Sequence, residues 1–413
     1  TAPHDTAVIA EVNKIENPSM VKFGEDNLSG IKMMGEETDK VYLDSVLSLM
    51  LSPESIARHK DIKFVYTPLH GTGVRLVPRA LKQIGFTEVY PVNEQMISDG
   101  NFPTVVSPNP EEPSALKMAV ELAEAKGADI VLATDPDADR VGVAVRDDNG
   151  KMLLLTGNQT ASLLTYYILT RWNELGKLNK DTYCVKTIVT TEMAVPICKK
   201  YGVELRNVLT GFKFIGEQIG LLEKAGEERR YLFGFEESYG FLSSTFVRDK
   251  DGVNASLLIA EVACACAAQG ITLYDYVQSI FREYGYFVEK VVSKTLPGKD
   301  GLTRMKEIMK DLRENPPKEL CGMKVTAGSR LFEGHAHCGR KGRTDRSAEI
   351  RRAVLRAGEG QLGLRASVRH GAEDQAVRQH QRERQGGRGE AECGFARCVR
   401  GAAGLRALQR NRQ

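Results

Sequence analysis

A chain of 413 residues with 42% hydrophobic and 27% charged side chains has the composition of a globular protein of two or three domains, not of a disordered or fibrous one. No run of about 18 apolar residues is present, which excludes a membrane-spanning helix, and the eight cysteines form no CxxC pair, so buried reduced thiols in a cytoplasmic protein are expected. The net charge of +3 averages two unlike regions: residues 334–413 hold 18 basic against 8 acidic groups, a net of +10, and the other 333 residues hold 39 against 46, a net of −7.

The chain opens on Thr1, with no basic segment followed by an apolar one, so no signal peptide is read. Residues 1–40 contain no complete strand–helix unit and are expected to be the end of a truncated α/β domain, in a chain that starts within a longer protein. From there one grammar recurs: an apolar strand, a polar turn, an amphipathic helix. DIKFVYTPL (61–69) reads as a strand, HGTG (70–73) as a turn, and VRLVPRALKQIG as a helix. FTEVYPV (86–92) is a second strand, and EPSALKMAVELAEAKG (112–127) a helix with Ser114 as cap and Gly127 as stop. ADIVLATDPDADR (128–140) is a buried strand running into an acidic loop, and VGVAVRDDNGKMLLL (141–155) a hairpin turning at Asp148-Asn149-Gly150.

The grammar then restarts. TYCVKTIVTT (182–191), VELRNVLT (203–210) and RRYLFGFEESYG (229–240) read as strands, each followed by a loop or helix, and ASLLIAEVACACAAQG (255–270) as a buried helix. Alternating strands and helices predict an α/β fold of serial, similar domains. The expected organisation is two comparable α/β domains, over 41–157 and 158–290, and the start of an incomplete further domain over 291–333.

From about Gly334 the language changes. Arg replaces Lys, Pro is absent, and Phe395 is the single member of the Phe, Tyr and Trp set. An Arg/Gly-rich tail can bind nucleic acid through its charge, but the aromatics that stack on bases are missing. The abrupt change is also what a shifted reading frame produces. Residues 334–413 are therefore expected to be an aberrant or disordered tail, and no regular structure is forced on them.

Three loops carry chemistry. Asp135, Asp137 and Asp139 sit at a spacing of two after the strand VLAT, so alternate carboxylates can converge on one hard cation such as magnesium. Arg140 adds a planar cationic fork suited to phosphate. An EF-hand is excluded because its sixth and twelfth positions, counted from Asp135, hold Arg140 and Arg146. The second loop, Gly234-Phe235-Glu236-Glu237-Ser238-Tyr239-Gly240, offers carboxylates and a hydroxyl to vicinal sugar hydroxyls, or is an ordinary charged turn. In the third, Thr210 and Gly211 precede Lys213 at a helix start, an anion-binding arrangement that also fits a surface lysine. Lys186 lies within an apolar strand and must face a cleft or a partner. His70 is most simply a turn histidine and otherwise lines the site.

Taken in order, DPDADR, TGFK and GFEESYG, with the HGTG turn and the DGVNASLLIAEV helix, resemble the α-D-phosphohexomutases, closest in wording to the bacterial phosphoglucomutase branch, over roughly 1–333. The resemblance implies four α/β domains around a central cleft, and mixed sheets within them. It implies Mg2+ on Asp135, Asp137 and Asp139, and catalytic roles for Arg140 and Lys186. Glu236, Ser238, Glu237, Lys213, Gly211, Thr210 and His70 would contact the substrate. The activity implied is interconversion of hexose 1-phosphate and hexose 6-phosphate, glucose first and mannose second, through a phosphoserine and a hexose 1,6-bisphosphate intermediate. Neither the family's TASHNP-like serine loop nor its RxSGTEP-like phosphate loop stands in this sequence, so the chain itself is expected to be nearly inactive. A phosphopentomutase, a non-catalytic sugar-phosphate-binding protein, a metal-dependent phosphatase and a tail-driven nucleic-acid binder are the alternatives. Small sugar phosphates are the expected partners, with no membrane.

Overall fold

The computed structural model describes residues 3–21 and 31–295, short stretches between 303 and 324, and residues 349–358 and 361–370. The chain divides into two compact units, Thr1–Ser45 and Val46–Gln413. The first holds helix α1 (His4–Val12), a 3-10 turn at Pro18–Met20 whose Asn17 side chain accepts from the Ser19 amide, and the start of α2 (Glu36–Leu47). Glu36, Glu37 and Asp39 occupy the first turn of α2, where the helix dipole favours negative charge. The described residues of this unit include no strand.

The second unit opens with α3 (Pro53–Arg58), then β1 (Phe64–Thr67), α4 (Gly73–Gln83), β2 (Val89–Pro91), α5 (Lys117–Lys126), β3 (Ile130–Thr134), β4 (Val141–Arg146) and β5 (Met152–Leu154). Their sheet runs β2-β1-β3-β4-β5, with β1 parallel to β2 and β3, and β4 and β5 antiparallel. Every residue of β1 and β3 is buried, as their unbroken apolar runs require of a sheet covered on both faces. Val65, Leu69, Leu116, Ala119, Ala123 and Val131 form one core beneath it. Helix α5 starts later than expected: Pro110 and Pro113 hold residues 109–116 in turns, Ser114 forms no cap, and the stop at Gly127 is a left-handed residue at φ 59°.

A second set follows: α6 (Gly157–Glu174), β6 (Tyr183–Thr187), α7 (Ala194–Lys200), β7 (Glu204–Val208), α8 (Phe212–Ala225), β8 (Tyr231–Glu236), β9 (Gly240–Leu242), α9 (Gly252–Ala267) and α10 (Leu273–Tyr284). Its sheet runs β7-β6-β8-β9, again with two parallel neighbours and then an antiparallel strand. Thr156 and Gln159 close a capping box on α6, and Thr272 and Asp275 another on α10. Helix α9 is buried along nearly its whole length and carries Cys264 and Cys266 as free thiols. In both sheets the chain enters at the inner parallel strand and leaves by the antiparallel edge. The loops after β3 and β8 thus hold equivalent places at the carboxyl ends of the strands, where α/β sheets bind ligands.

Strand β10 (Tyr286–Thr295) follows α10. A short pair, β11 (Glu319–Leu320) and β12 (Met323–Lys324), comes next, and then β13 (Glu349–Gly358) and β14 (Gln361–His370). β14 lies between β10 and β13, antiparallel to both. Regular strands therefore stand at 349–358 and 361–370, where the sequence shows no sustained period. Most of the unit expected over 291–333, and the remainder of the 334–413 tail, lie outside the described residues.

Candidate functional site

The acidic loop leaves the buried end of β3. Ala138 takes a left-handed conformation at φ 58°, and its amide donates to the Asp135 carbonyl at 3.0 Å. This tight turn brings one carboxylate oxygen from each of Asp135, Asp137 and Asp139 within 4.8 Å of one another. Asp135 is fully buried. Its Oδ1 accepts the Arg140 amide at 2.9 Å, and its Oδ2 the Arg140 Nε at 2.7 Å. Burial pushes Asp135 up to about 6. The charges of Asp139 and Asp137 push the same way, and the hydrogen bond and charge of Arg140 oppose them. Asp139 Oδ1 is buried without a hydrogen-bond partner among the described residues, with Arg140 Nε 3.7 Å away. Three converging carboxylates, one of them holding an orphaned oxygen, fit a hard divalent cation.

The HGTG turn braces this loop from below. The Thr72 amide donates to the Pro136 carbonyl at 2.8 Å, and the Thr72 hydroxyl to the same oxygen at 3.1 Å. Gly71 lies so close to Pro136 that any Cβ there would collide with its backbone. His70, at φ 64°, is buried, and its ring nitrogens face Ile97 O at 2.9 Å and Thr104 Oγ1 at 2.8 Å. Both ring nitrogens are therefore occupied inside the 95–104 segment.

The second loop continues β8. Glu236 is buried, and its Oε1 accepts from the Ser238 hydroxyl at 2.8 Å. Burial raises Glu236 above the usual carboxylate range, with the charge of Lys250 acting against it. Glu237 turns elsewhere: its Oε2 lies 3.1 Å from the hydroxyls of both Thr187 and Thr190. The Tyr239 hydroxyl donates to Leu155 O at 2.9 Å.

The two loops are joined through their main chains. Arg140 and Gly240 form an antiparallel bridge, and the Val141 amide donates to Tyr239 O at 3.1 Å. The Gly252 amide donates to Ala138 O at 3.0 Å, which places the start of α9 against the acidic loop. At that junction stands Lys250, which the sequence reading did not select. Its Nζ lies 2.8 Å from Asp139 Oδ2, 3.1 Å from Asp249 Oδ1 and 5.4 Å above the Phe212 ring. Burial works against the charge of Lys250, but the hydrogen bond and charge of Asp139, with the charge of Glu236, hold it above the ordinary lysine value. A lysine within Arg248-Asp249-Lys250-Asp251 reads as part of a solvated charged turn. The one available signal was its place just before the cap of an apolar helix.

The remaining candidates are arranged differently from one another. Gly211, at φ 118°, ends the loop before α8, with Thr210 half-buried beside it. The loop reaches the junction through Phe212 beneath Lys250, whereas Lys213 is exposed, its Nζ 5.1 Å above the Phe214 ring. Lys186 is fully buried and donates to Thr187 O at 3.4 Å, Thr190 O at 3.0 Å and Glu192 Oε1 at 3.1 Å. Its ammonium thus closes the turn after β6.

Residues 40–150 match the pattern of phosphoglucomutase/phosphomannomutase α/β/α domain II, and residues 156–284 that of domain III. A phosphoglucomutase of Staphylococcus aureus is 37% identical over 308 residues, 74% of this chain and 54% of its own length. The chain thus spans about half the length of the curated relatives it matches. Two solved structures share the fold. The exocytosis-sensitive phosphoprotein parafusin, a phosphoglucomutase from Paramecium, has a TM-score of 0.54 at 17% identity, covering 80% of this chain and 57% of that one. A phosphoglucomutase/phosphomannomutase family protein from Burkholderia thailandensis has a TM-score of 0.53 at 16% identity, covering 84% and 63%.

Proposed function

The chain belongs to the phosphoglucomutase/phosphomannomutase family, and on that premise we propose that it carries the metal and sugar-recognition half of a phosphohexose mutase. The reaction would interconvert hexose 1-phosphate and hexose 6-phosphate, with glucose the first substrate to test and a hexose 1,6-bisphosphate as intermediate. The observation that carries this reading is the Arg140–Gly240 bridge with Lys250 beside it, because it ties a cation-binding carboxylate cluster to a sugar-gripping loop. Asp135, Asp137 and Asp139 would hold Mg2+. When bound, the ion would offset charge on a transferring phosphoryl group.

The other roles follow from what each side chain faces. Arg140 bonds Asp135 through Nε and would offer its outer nitrogens, one of them 3.5 Å from Glu111, to phosphoryl oxygens. Glu236 and Ser238 already share one hydrogen bond and would exchange it for hydroxyls of the sugar. Lys250 would donate to the same sugar or its phosphate. Exposed Lys213 can approach a phosphate from the α8 side. The phosphoryl donor in this chemistry would be a phosphoserine. Titration calorimetry of the full chain with Mg2+ and then glucose 1-phosphate tests the reading. Saturable sugar-phosphate binding that Glu236→Gln weakens supports it. No binding of glucose 1-phosphate in the presence of Mg2+ overturns it.

A further inference from the structure

We propose that Glu237 is a positioning residue, clamped by Thr187 and Thr190, that fixes the sugar loop of the reading above without itself touching sugar. Strand β8 ends at Glu236, and residues 237–239 form the turn that leads into β9. Glu236 and Ser238 lie on one side of the loop and bond each other at 2.8 Å. Glu237 lies on the other, and its Oε2 is 3.1 Å from each of two threonine hydroxyls.

Both threonines are fully buried, and their hydroxyls are 2.6 Å apart. Two hydroxyl protons serve these three contacts, so whichever way they point, neither is left for a ligand. The clamp is itself held in place. The Thr190 amide donates to Thr187 O at 3.0 Å, and the Lys186 ammonium takes the carbonyls of both threonines from the other side. The Glu237 backbone is pinned as well. Its carbonyl lies where a Cβ on Gly157 would have to sit, so the loop rests directly on the first turn of α6. One residue of the adjacent carboxylate pair is thus built into the scaffold, and the other is left to meet ligand.

The test compares wild type, Glu237→Gln, Glu237→Ala and the double variant Thr187→Val/Thr190→Val as full chains, in two measurements. In the first, glucose 1-phosphate and its 2-deoxy and 3-deoxy analogues are titrated in Mg2+. The alanine and double-valine variants are expected to weaken binding about tenfold, by the same factor for all three sugars. Glu237→Gln, whose amide oxygen still accepts from the hydroxyls, is expected to restore binding to within about threefold of wild type. Direct sugar contact, which overturns the proposal, would appear as unchanged binding in the double-valine variant with a tenfold loss in Glu237→Gln. A loss in Glu237→Ala that vanishes for one deoxy sugar would overturn it equally. The second measurement needs no ligand: amide hydrogen exchange of the 234–242 segment. Faster exchange in the alanine and double-valine variants, rescued by glutamine, supports the clamp. Unchanged protection refutes it. Wild type that binds no sugar phosphate would count against the mutase reading alone, because the exchange comparison still decides the clamp.

Discussion

The ammonium of Lys250 sits 2.8 Å from Oδ2 of Asp139, inside the cluster of carboxylates that converges after β3. One carboxylate of the proposed cation site is therefore already paired with the protein's own charge, which lies just before α9. Removing it, as in Lys250→Met, is expected to tighten Mg2+ binding, because the ion no longer competes with an ammonium for Asp139. Glucose 1-phosphate binding is expected to weaken by roughly tenfold or more, the loss of one charge-assisted hydrogen bond. Two calorimetric titrations, metal alone and sugar phosphate in saturating metal, read the opposite signs.

Lys186 separates a turn-holding role from a contact role. Lys186→Met removes the donor shared by Thr187 O, Thr190 O and Glu192 and leaves Glu192 without that partner. A cost of about 3 kcal/mol in unfolding free energy is expected, the range for breaking a buried pair. Urea denaturation measures it. A variant as stable as wild type would contradict the turn-holding role.

Two glycines predict opposite outcomes. Gly71→Ala forces a Cβ into the Pro136 backbone, so a loss of about 2 kcal/mol is expected, with weakened Mg2+ binding as the acidic loop shifts. Gly220 lies within α8 with open space around its missing Cβ. Gly220→Ala should therefore stabilise by about 0.5–1 kcal/mol. Thermal unfolding of the pair tests both directions together.

Glu261 makes stability depend on pH. Its carboxylate accepts from the Ser52 amide, and its Oε2 has no hydrogen-bond partner among the described residues. Burial pushes Glu261 up to about 7, against the amides of Ser52 and Leu51 and the charge of Arg171, while Glu54 adds to the rise. Tyr167 and Cys264 are further ionisable neighbours. The folded chain thus holds this proton where the unfolded chain has released it, so stability falls as pH rises from about 4.5 through 7 and this contribution is flat below that window. The full swing is on the order of 3 kcal/mol. Glu261→Gln should flatten the pH profile of the urea midpoint over that range. A profile with the wild-type slope would refute the assignment.

What the sequence revealed depended on whether a signal was local. Carboxylates at spacing two after a buried strand are a local pattern, and the structure gathers Asp135, Asp137 and Asp139 as that pattern predicts. Glu236 and Ser238, also two apart in the chain, are likewise brought together, bonding each other at 2.8 Å. Lys250 does not, because its meaning comes from Asp139, far away in the chain, while its neighbours Asp249 and Asp251 make it look solvated. Lys186 and His70 show the complementary difficulty. A buried cation or imidazole announces that it has partners, but only the fold tells whether those partners are ligands or the chain's own carbonyls. The alternation of strands and helices gave the class of fold, while the shared order of the two sheets depended on long-range pairing that periodicity does not encode.

The seam between the acidic and sugar loops is made of peptide groups: Val141 N–H to Tyr239 O, and Gly252 N–H to Ala138 O. Any residue but proline can supply the first donor, whereas at Gly252 a Cβ would meet the Ala138 carbonyl oxygen at 2.5 Å, so that position is held to glycine. Side chains elsewhere on either loop can therefore change while the peptide bonds that keep the two loops in register stay intact.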